Sequence, residues 1–195
     1  MQVKVSFFKR IGAYLIDYFV ITILLTIVTI GTPVDDSFTN ETTDLMNSYV
    51  NEEISIEEYN DKVYDINYRL QKSSILSNVI SFVVMFGYYI VFAYLNKGQT
   101  LGKKLFKIRV VSTDDKVSLK GMIIRNIIIY GFITKLYNII FVNLFDVNMF
   151  NSVYSILSYI MSLFVIVSFM MVLYRKDGRG LHDIIARTNV VGEVR

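Results

Sequence analysis

The sequence has no cysteine, no tryptophan, one proline and one histidine. Without cysteine there are no disulfides, thiolate metal sites or cysteine nucleophile, although the redox compartment stays open. A single histidine removes most His-based metal sites and acid–base schemes. Charge is scarce as well. Only 19% of the 195 residues are Asp, Glu, Lys or Arg, where a soluble domain carries about 25%. Apolar residues take their place: 53% are hydrophobic and the mean hydropathy is +0.46. Such a chain needs lipid as part of its solvent. The net charge of +3 is small, so the placement of charge matters more than its sum.

Four apolar stretches, at residues 11–32, 75–95, 122–145 and 152–173, are long enough to cross a hydrocarbon core of ~30 Å, which takes about 20 helical residues. The first follows Lys4, Lys9 and Arg10, as a secretory signal would. Its apolar run exceeds the ~7–15 residues of such a signal and no Ala-x-Ala-like site follows, so it is expected to be a retained helix. The third is the weakest, because it contains Arg125 and Lys135. Loop charge supports it. Residues 34–74 hold ten acids, Asp35 and Asp36 among them, against Lys62, Arg69 and Lys72, a net of −7. Residues 96–121 carry seven basic side chains against Asp114 and Asp115, and the tail after Tyr174 has five basic residues against Asp177, Asp183 and Glu193. The positive-inside rule then puts the N-terminus, the middle loop and the tail in the cytoplasm. That pattern needs an even number of crossings after residue 121. The expectation is an all-α membrane protein, a single domain over 1–195 built on a four-transmembrane-helix bundle with both ends inside.

The outer loop, 34–74, is acidic but patterned. Ser55 and Glu58 form a Ser-x-x-Glu capping box. Beyond it Ile56, Tyr59, Val63, Ile66 and Leu70 make one apolar helical stripe. The stripe predicts packing on a shorter helix around residues 45–50; barely two heptads are too few for a dimerising coiled coil. No Pro or Gly intervenes before Gly87, so this helix is free to run on into the second span. The cytoplasmic cap, 96–121 and 175–195, reads differently. Alternation from Leu105 to Ser112 predicts a short strand, Thr113, Asp114 and Asp115 a turn, and Thr188 to Val191 a second strand that can pair with the first.

A few polar residues sit awkwardly in this frame. Asp17 lies about seven residues, roughly 10 Å, beyond Arg10 in the first helix. Seven positions turn the helix by only about 20°, so both share a face, with Tyr14 between them. A carboxylate at membrane depth is a functional candidate by default. Two accounts stay open: an ion or proton site entered from the inner surface, or an interhelical salt bridge that fixes packing. Arg125, just inside the third segment, either pairs with Asp17 or snorkels to the headgroups. Lys135 is roughly 15 Å from the outer end, beyond the reach of its stem. It must face protein, water or a helix break at Gly131, unless the helix end is misplaced. Asn78, Asn126, Asn138 and Asn143 are read as glue between helices. The run Gly98-Gln-Thr-Leu-Gly-Lys103 has its glycines one residue too close for a phosphate loop, and no Ser or Thr follows the Lys, so nucleotide binding is rejected. His182 beside Asp183 makes a poor acid–base pair on a short turn. No nucleophile–base set or metal-spaced cluster stands out. Neither an enzyme, a cofactor nor a nucleic-acid partner is expected.

These residues resemble the RDD family of bacterial integral membrane proteins. Arg10 and Asp17 look like its first two signature residues. Gly98-Gln-Thr-Leu-Gly-Lys103, continuing to Ile108-Arg-Val-Val111, is similar to its segment after helix two. Gly180-Leu-His-Asp-Ile-Ile-Ala-Arg-Thr-Asn-Val-Val191 is similar to its closing pattern, with Asp183 as the second aspartate. Arg125 falls where members often place an arginine. The long acidic outer loop is not part of that pattern. The resemblance implies a bacterial cell-membrane protein, linked to transport with no settled substrate, and it groups Asp183 with Arg10. A polar cluster of Arg10, Asp17, Arg125 and Asp183 at the inner face is therefore expected, with Lys135 apart from it. Two functional classes remain: a transporter or ion-coupling protein that handles a cation, proton or small solute through Asp17, and a non-transporting scaffold, accessory subunit or stress-response partner. Four helices with no internal repeat are few for transport, unless the protein is a homo-oligomer.

Overall fold

The computed structural model describes residues 5–30, 37–114 and 116–192. Lys4, the stretch 31–36 with Asp35 and Asp36, Asp115 of the expected turn, and Glu193 lie outside the described residues.

Helix α1, Phe7–Thr29, starts four residues earlier than hydropathy alone suggests. Only Ala13, Asp17 and Ile21 on it are buried. Their spacing of four puts one stripe against the bundle and leaves the other apolar side chains facing outward, as lipid-facing positions do. Helices α2 (Ser37–Val50) and α3 (Ile56–Ser73) form a hairpin. Phe38 and Leu45 of α2 pack on Ile66, with Tyr59 and Val63 beside them, so the apolar stripe is spent within the hairpin. The partner helix is longer than 45–50, because Thr42 and Thr43 return their hydroxyls to carbonyls four residues back and so stay helical. Ser55 accepts from the Glu58 amide at 3.2 Å, the N-cap half of the expected box. Arg69 clamps the hairpin to Glu41 at 2.5 Å and Asp65 at 2.7 Å.

The passage from α3 into α4 (Ile75–Phe86) is interrupted at Ser74 alone, where ψ is 13°. Ser73 sends its hydroxyl to the Leu70 carbonyl, a local bond that competes with the helical ladder. From α4 the chain runs through a π-helical turn, Gly87–Phe92, into α5, Ala93–Leu95. The wider turn buries three consecutive residues, Tyr88, Tyr89 and Ile90.

The third apolar segment departs most from expectation. It is two helices, α7 (Leu119–Ile129) and α8 (Phe132–Phe141), bent by 77°. Gly131 between them has φ +67°, a left-handed conformation open to glycine and costly for most residues. Three helices are thus long and apolar enough to cross a membrane, or four if the bent pair is one span. Despite the bend, α7 and α8 keep to one side of the chain from α3 to α5, α7 beside the second span and α8 beside that span and the end of α3. Asn126 bonds to the Tyr89 carbonyl, Phe132 packs on Phe86 and Phe82, and Asn138 reaches Gln71. Helix α9, Val147–Tyr174, then returns. It begins beside α3, where Asn151 donates to the Tyr64 carbonyl, and near its other end Phe169 meets Phe7 of α1. Asp146 caps it by accepting from the Met149 amide, which explains a start earlier than residue 152.

One end of the bundle is closed by the short helices α6 (Leu101–Leu105) and α10 (Leu181–Ile185) and by an antiparallel pair, β1 (Ile108–Ser112) and β2 (Thr188–Gly192). Val110 faces Val190 across the pair. Strand β1 starts at Ile108 rather than Leu105, because residues from Leu101 wind into a helix after an extended Thr100. Val5, Ala13, Ile108, Val110, Met122 and Val190 share the core that joins sheet to bundle.

Candidate functional site

Two buried aspartates organise this sheet end. Asp17, fully buried on α1, points at the start of α6. Tyr88 donates to its Oδ1 at 2.7 Å and the Gly102 amide to the same oxygen at 2.8 Å. Thr100 donates to Oδ2 at 2.5 Å, and the Lys103 ammonium stands 3.5 Å from it. The Gly-Gln-Thr-Leu-Gly-Lys run therefore does cradle an anion, but an internal one. Gly102 is required for the approach, since a Cβ there would lie 2.1 Å from the Ala13 carbonyl oxygen and 2.9 Å from the Asp17 carboxyl carbon. The π-helical turn delivers Tyr88, whose oxygen also accepts from the Leu101 amide at 3.2 Å. Such turns recur at functional sites.

Asp183, also fully buried, is the second hub. Arg125 is hydrogen-bonded to its Oδ1, and Arg10 reaches Oδ2 at 3.4 Å. Thr188 donates to Oδ1 at 3.2 Å, and the Gly180 amide to Oδ2 at the same distance, which caps α10. Three regions far apart in sequence, α1, α7 and the adjoining pair α10 and β2, meet on one carboxylate. The expected cluster of Arg10, Asp17, Arg125 and Asp183 thus exists as two adjacent centres. Arg10 and Asp17 do share a face of α1, yet both arginines serve Asp183, and Asp17 takes Lys103 instead. Lys103, outside the apolar spans, has its pKa pulled down to about 8 by burial, reinforced by Arg125 and opposed by Asp17. Lys135 stands apart on α8, half-buried, with no side-chain partner among the described residues.

His182 packs between the hubs. Ser168 on α9 is hydrogen-bonded to its Nδ1, and Nε2 lies 3.3 Å from Asp183 Oδ2. Both contacts suit a neutral ring protonated on Nε2. Burial, with Arg125, Arg10 and Lys103 nearby, lowers its pKa to about 2. Below the ordinary value of about 6.5 the unfolded chain binds a proton that the folded chain refuses, so stability falls with pH by up to about 1.4 kcal/mol per unit. The melting midpoint in detergent should therefore drop more steeply from pH 7 to pH 5 in the wild type than in His182→Gln. Equal slopes would show that another group sets the acid response.

A cavity of about 310 Å³ lies against both hubs. Arg10, Lys103 and Arg125 border it with Tyr14, Ser168 and His182, and its remaining walls are apolar, including Phe7, Ile128, Val165 and Phe169. Tyr88, Thr100, Gly102, Lys103, Ser168 and Thr188 carry the two centres but escape identification as site residues from sequence. The available signal was chemical: a buried carboxylate needs donors, and a glycine-rich loop with Thr and Lys supplies them.

A search of curated proteins and of solved structures finds no match to this chain. The family model described as RDD family matches residues 4–187, which takes in both aspartate centres, the loop from Gly98 and most of the bundle. On that match over nearly its whole length, the chain belongs to the RDD family.

Proposed function

We propose a non-enzymatic, four-pass protein of the bacterial plasma membrane, in which Asp17 and Asp183 lock a cytoplasmic cap onto the helical bundle. It would act as a membrane scaffold, accessory subunit or stress-response partner. One observation carries this: the buried Asp17 carboxylate already accepts from Tyr88, Thr100 and Gly102 and faces Lys103, which leaves it little capacity for a passing cation. Both termini, residues 96–121 and the tail lie inside under this reading, with the acidic hairpin outside. Loop charge supports that orientation. So does the β1–β2 pairing, which keeps residues 108–112 and 188–192 on one side of the bilayer. Helix α9 crosses once on its own 28 residues, so α7 and α8 must together supply the other crossing.

A second reading keeps the transport class, with a proton as the coupled ion. Lys103, lowered to about 8, borders the cavity and touches Asp17, so it can gain and lose a proton near physiological pH. Four helices would favour a homo-oligomer in that case. Proteoliposomes with a pH-sensitive dye and an imposed sodium, potassium or proton gradient separate the two. The lock predicts no flux above protein-free vesicles, and Asp17→Asn that loses stability rather than transport. Wild-type flux with a midpoint near pH 8 that Lys103→Gln abolishes, in protein that remains folded, would replace the lock with proton coupling.

A further inference from the structure

The charges at the sheet end do not balance. Arg10, Lys103 and Arg125 have side chains 11%, 13% and 9% exposed, against Asp17 and Asp183 at 0%. Neutral His182 adds nothing, so among the described residues three largely buried cations face two buried carboxylates, with exposed Asp177 the further acid whose charge reaches Arg10. The excess has a location. Arg10 spends Nη1 on Asp183, while its buried Nε and Nη2 have no partner among the described residues. A guanidinium left half-satisfied away from water is costly and calls for an acceptor. Arg10 also borders the 310 Å³ cavity, where Lys103 and Arg125 add positive charge and Phe7, Ile11, Ile128, Val165 and Phe169 supply apolar wall. Val165 and Phe169 are themselves 42% and 48% exposed, so α9 leaves uncovered apolar surface beside Arg10 along which an alkyl chain would lie.

We infer that this cavity binds an oxyanion carried on an alkyl chain, with the headgroup on Arg10 and the first methylenes along Ile128, Val165 and Phe169. A carboxylate, or a phosphodiester whose charge is not cancelled by a headgroup cation, brings the missing net negative charge and the acceptors, and its chain lies along the apolar part of the wall. Two molecules in a membrane carry this chemistry: an anionic phospholipid and a free fatty acid. The proposal does not depend on whether the protein transports ions, because it is read by ligand retention and not by flux.

The test uses the full chain in a neutral detergent, with native mass spectrometry and thermal unfolding as readouts. Phosphatidylglycerol, phosphatidylcholine and sodium decanoate are added separately. Preference for phosphatidylglycerol over phosphatidylcholine by about tenfold, roughly one charge-assisted contact, supports the site and names a phospholipid as its occupant. The same preference for decanoate supports it with a fatty acid. Arg10→Gln should erase the preference, but it also disturbs Asp183. Val165→Trp is therefore the cleaner variant: it fills the cavity and leaves both aspartate centres untouched. It should abolish retention while the unliganded melting midpoint stays put. Equal retention of all three additives, or undiminished phosphatidylglycerol binding by Val165→Trp, overturns the inference.

Discussion

Asp17→Ala should leave little folded protein in the membrane. The substitution removes the common acceptor of Tyr88, Thr100 and the Gly102 amide, and strands the Lys103 ammonium without its counter-ion. Breaking a buried charge pair by deleting one partner costs about 3–5 kcal/mol. That is a large part of a total stability of ~5–15 kcal/mol. Asp17→Asn should fall between, since the amide keeps one acceptor but turns N–H groups toward other donors. Gly102→Ala attacks the same contact without touching charge, because its Cβ has no room between Ala13 and Asp17. It should match Asp17→Ala in direction, with α6 pushed off α1. Chemical or thermal unfolding in detergent, with monodisperse yield as a second readout, measures all three. A loss under about 1 kcal/mol for Asp17→Ala would mean that the cradle relaxes around water, and the lock would fail.

How much of this was legible in the residues follows from what each property depends on. Span positions depend on local hydropathy, because backbone groups in lipid must bond within their own helix. Accordingly the second span runs to Leu95 as expected, α1 and α9 start four and five residues earlier, α9 ends one residue later, and α1 ends at Thr29, with residues 31 and 32 outside the described ones. The break in the third segment depends on one backbone angle at Gly131, which a glycine permits and does not demand. Hence a break at Gly131 was one of the accounts open from the sequence, and its 77° angle was not visible there. Partner choice was hidden for another reason. Arg10 and Asp17 share a helix face, and Arg125 on the third segment offered itself as the partner of Asp17 across the bundle. Three-dimensional packing instead seats Thr100 and Gly102 against Asp17, so the nearest arginines reach across to Asp183. Tyr88 could not be found at all, since it is aimed by a π-helical turn that breaks the period on which faces are assigned. The loop from Gly98 is a further case. Its likeness to a phosphate loop was set aside on spacing, and the anion it does hold, a carboxylate of the same chain, lay beyond local pattern.

The second large effect is an asymmetry within one ion pair. Asp183→Asn and Arg125→Met each break the contact between the two side chains, and equal costs would follow if that contact were all that mattered. It is not, because Arg10 also leans on Asp183 from 3.4 Å. Asp183→Asn leaves Arg10, Lys103 and Arg125 buried with Asp17 as the one carboxylate among them, and it takes the acceptor from either Thr188 or the Gly180 amide as well, since the amide keeps one oxygen. Arg125→Met instead removes the excess cation, retains the Arg10 contact and fills a similar apolar volume, a change that is often neutral when a buried charge is replaced by a packed side chain. The expected costs are about 3–5 kcal/mol for Asp183→Asn and roughly 1 kcal/mol for Arg125→Met. Adding Arg125→Met to Asp183→Asn should restore part of the loss, since removing one cation offsets the lost carboxylate and returns the surplus to a single charge. Unfolding midpoints of the three variants at one pH decide it. If the two single variants lose the same stability and the double variant is worse than either, the centre is an ordinary salt bridge and no surplus positive charge is stored at the sheet end.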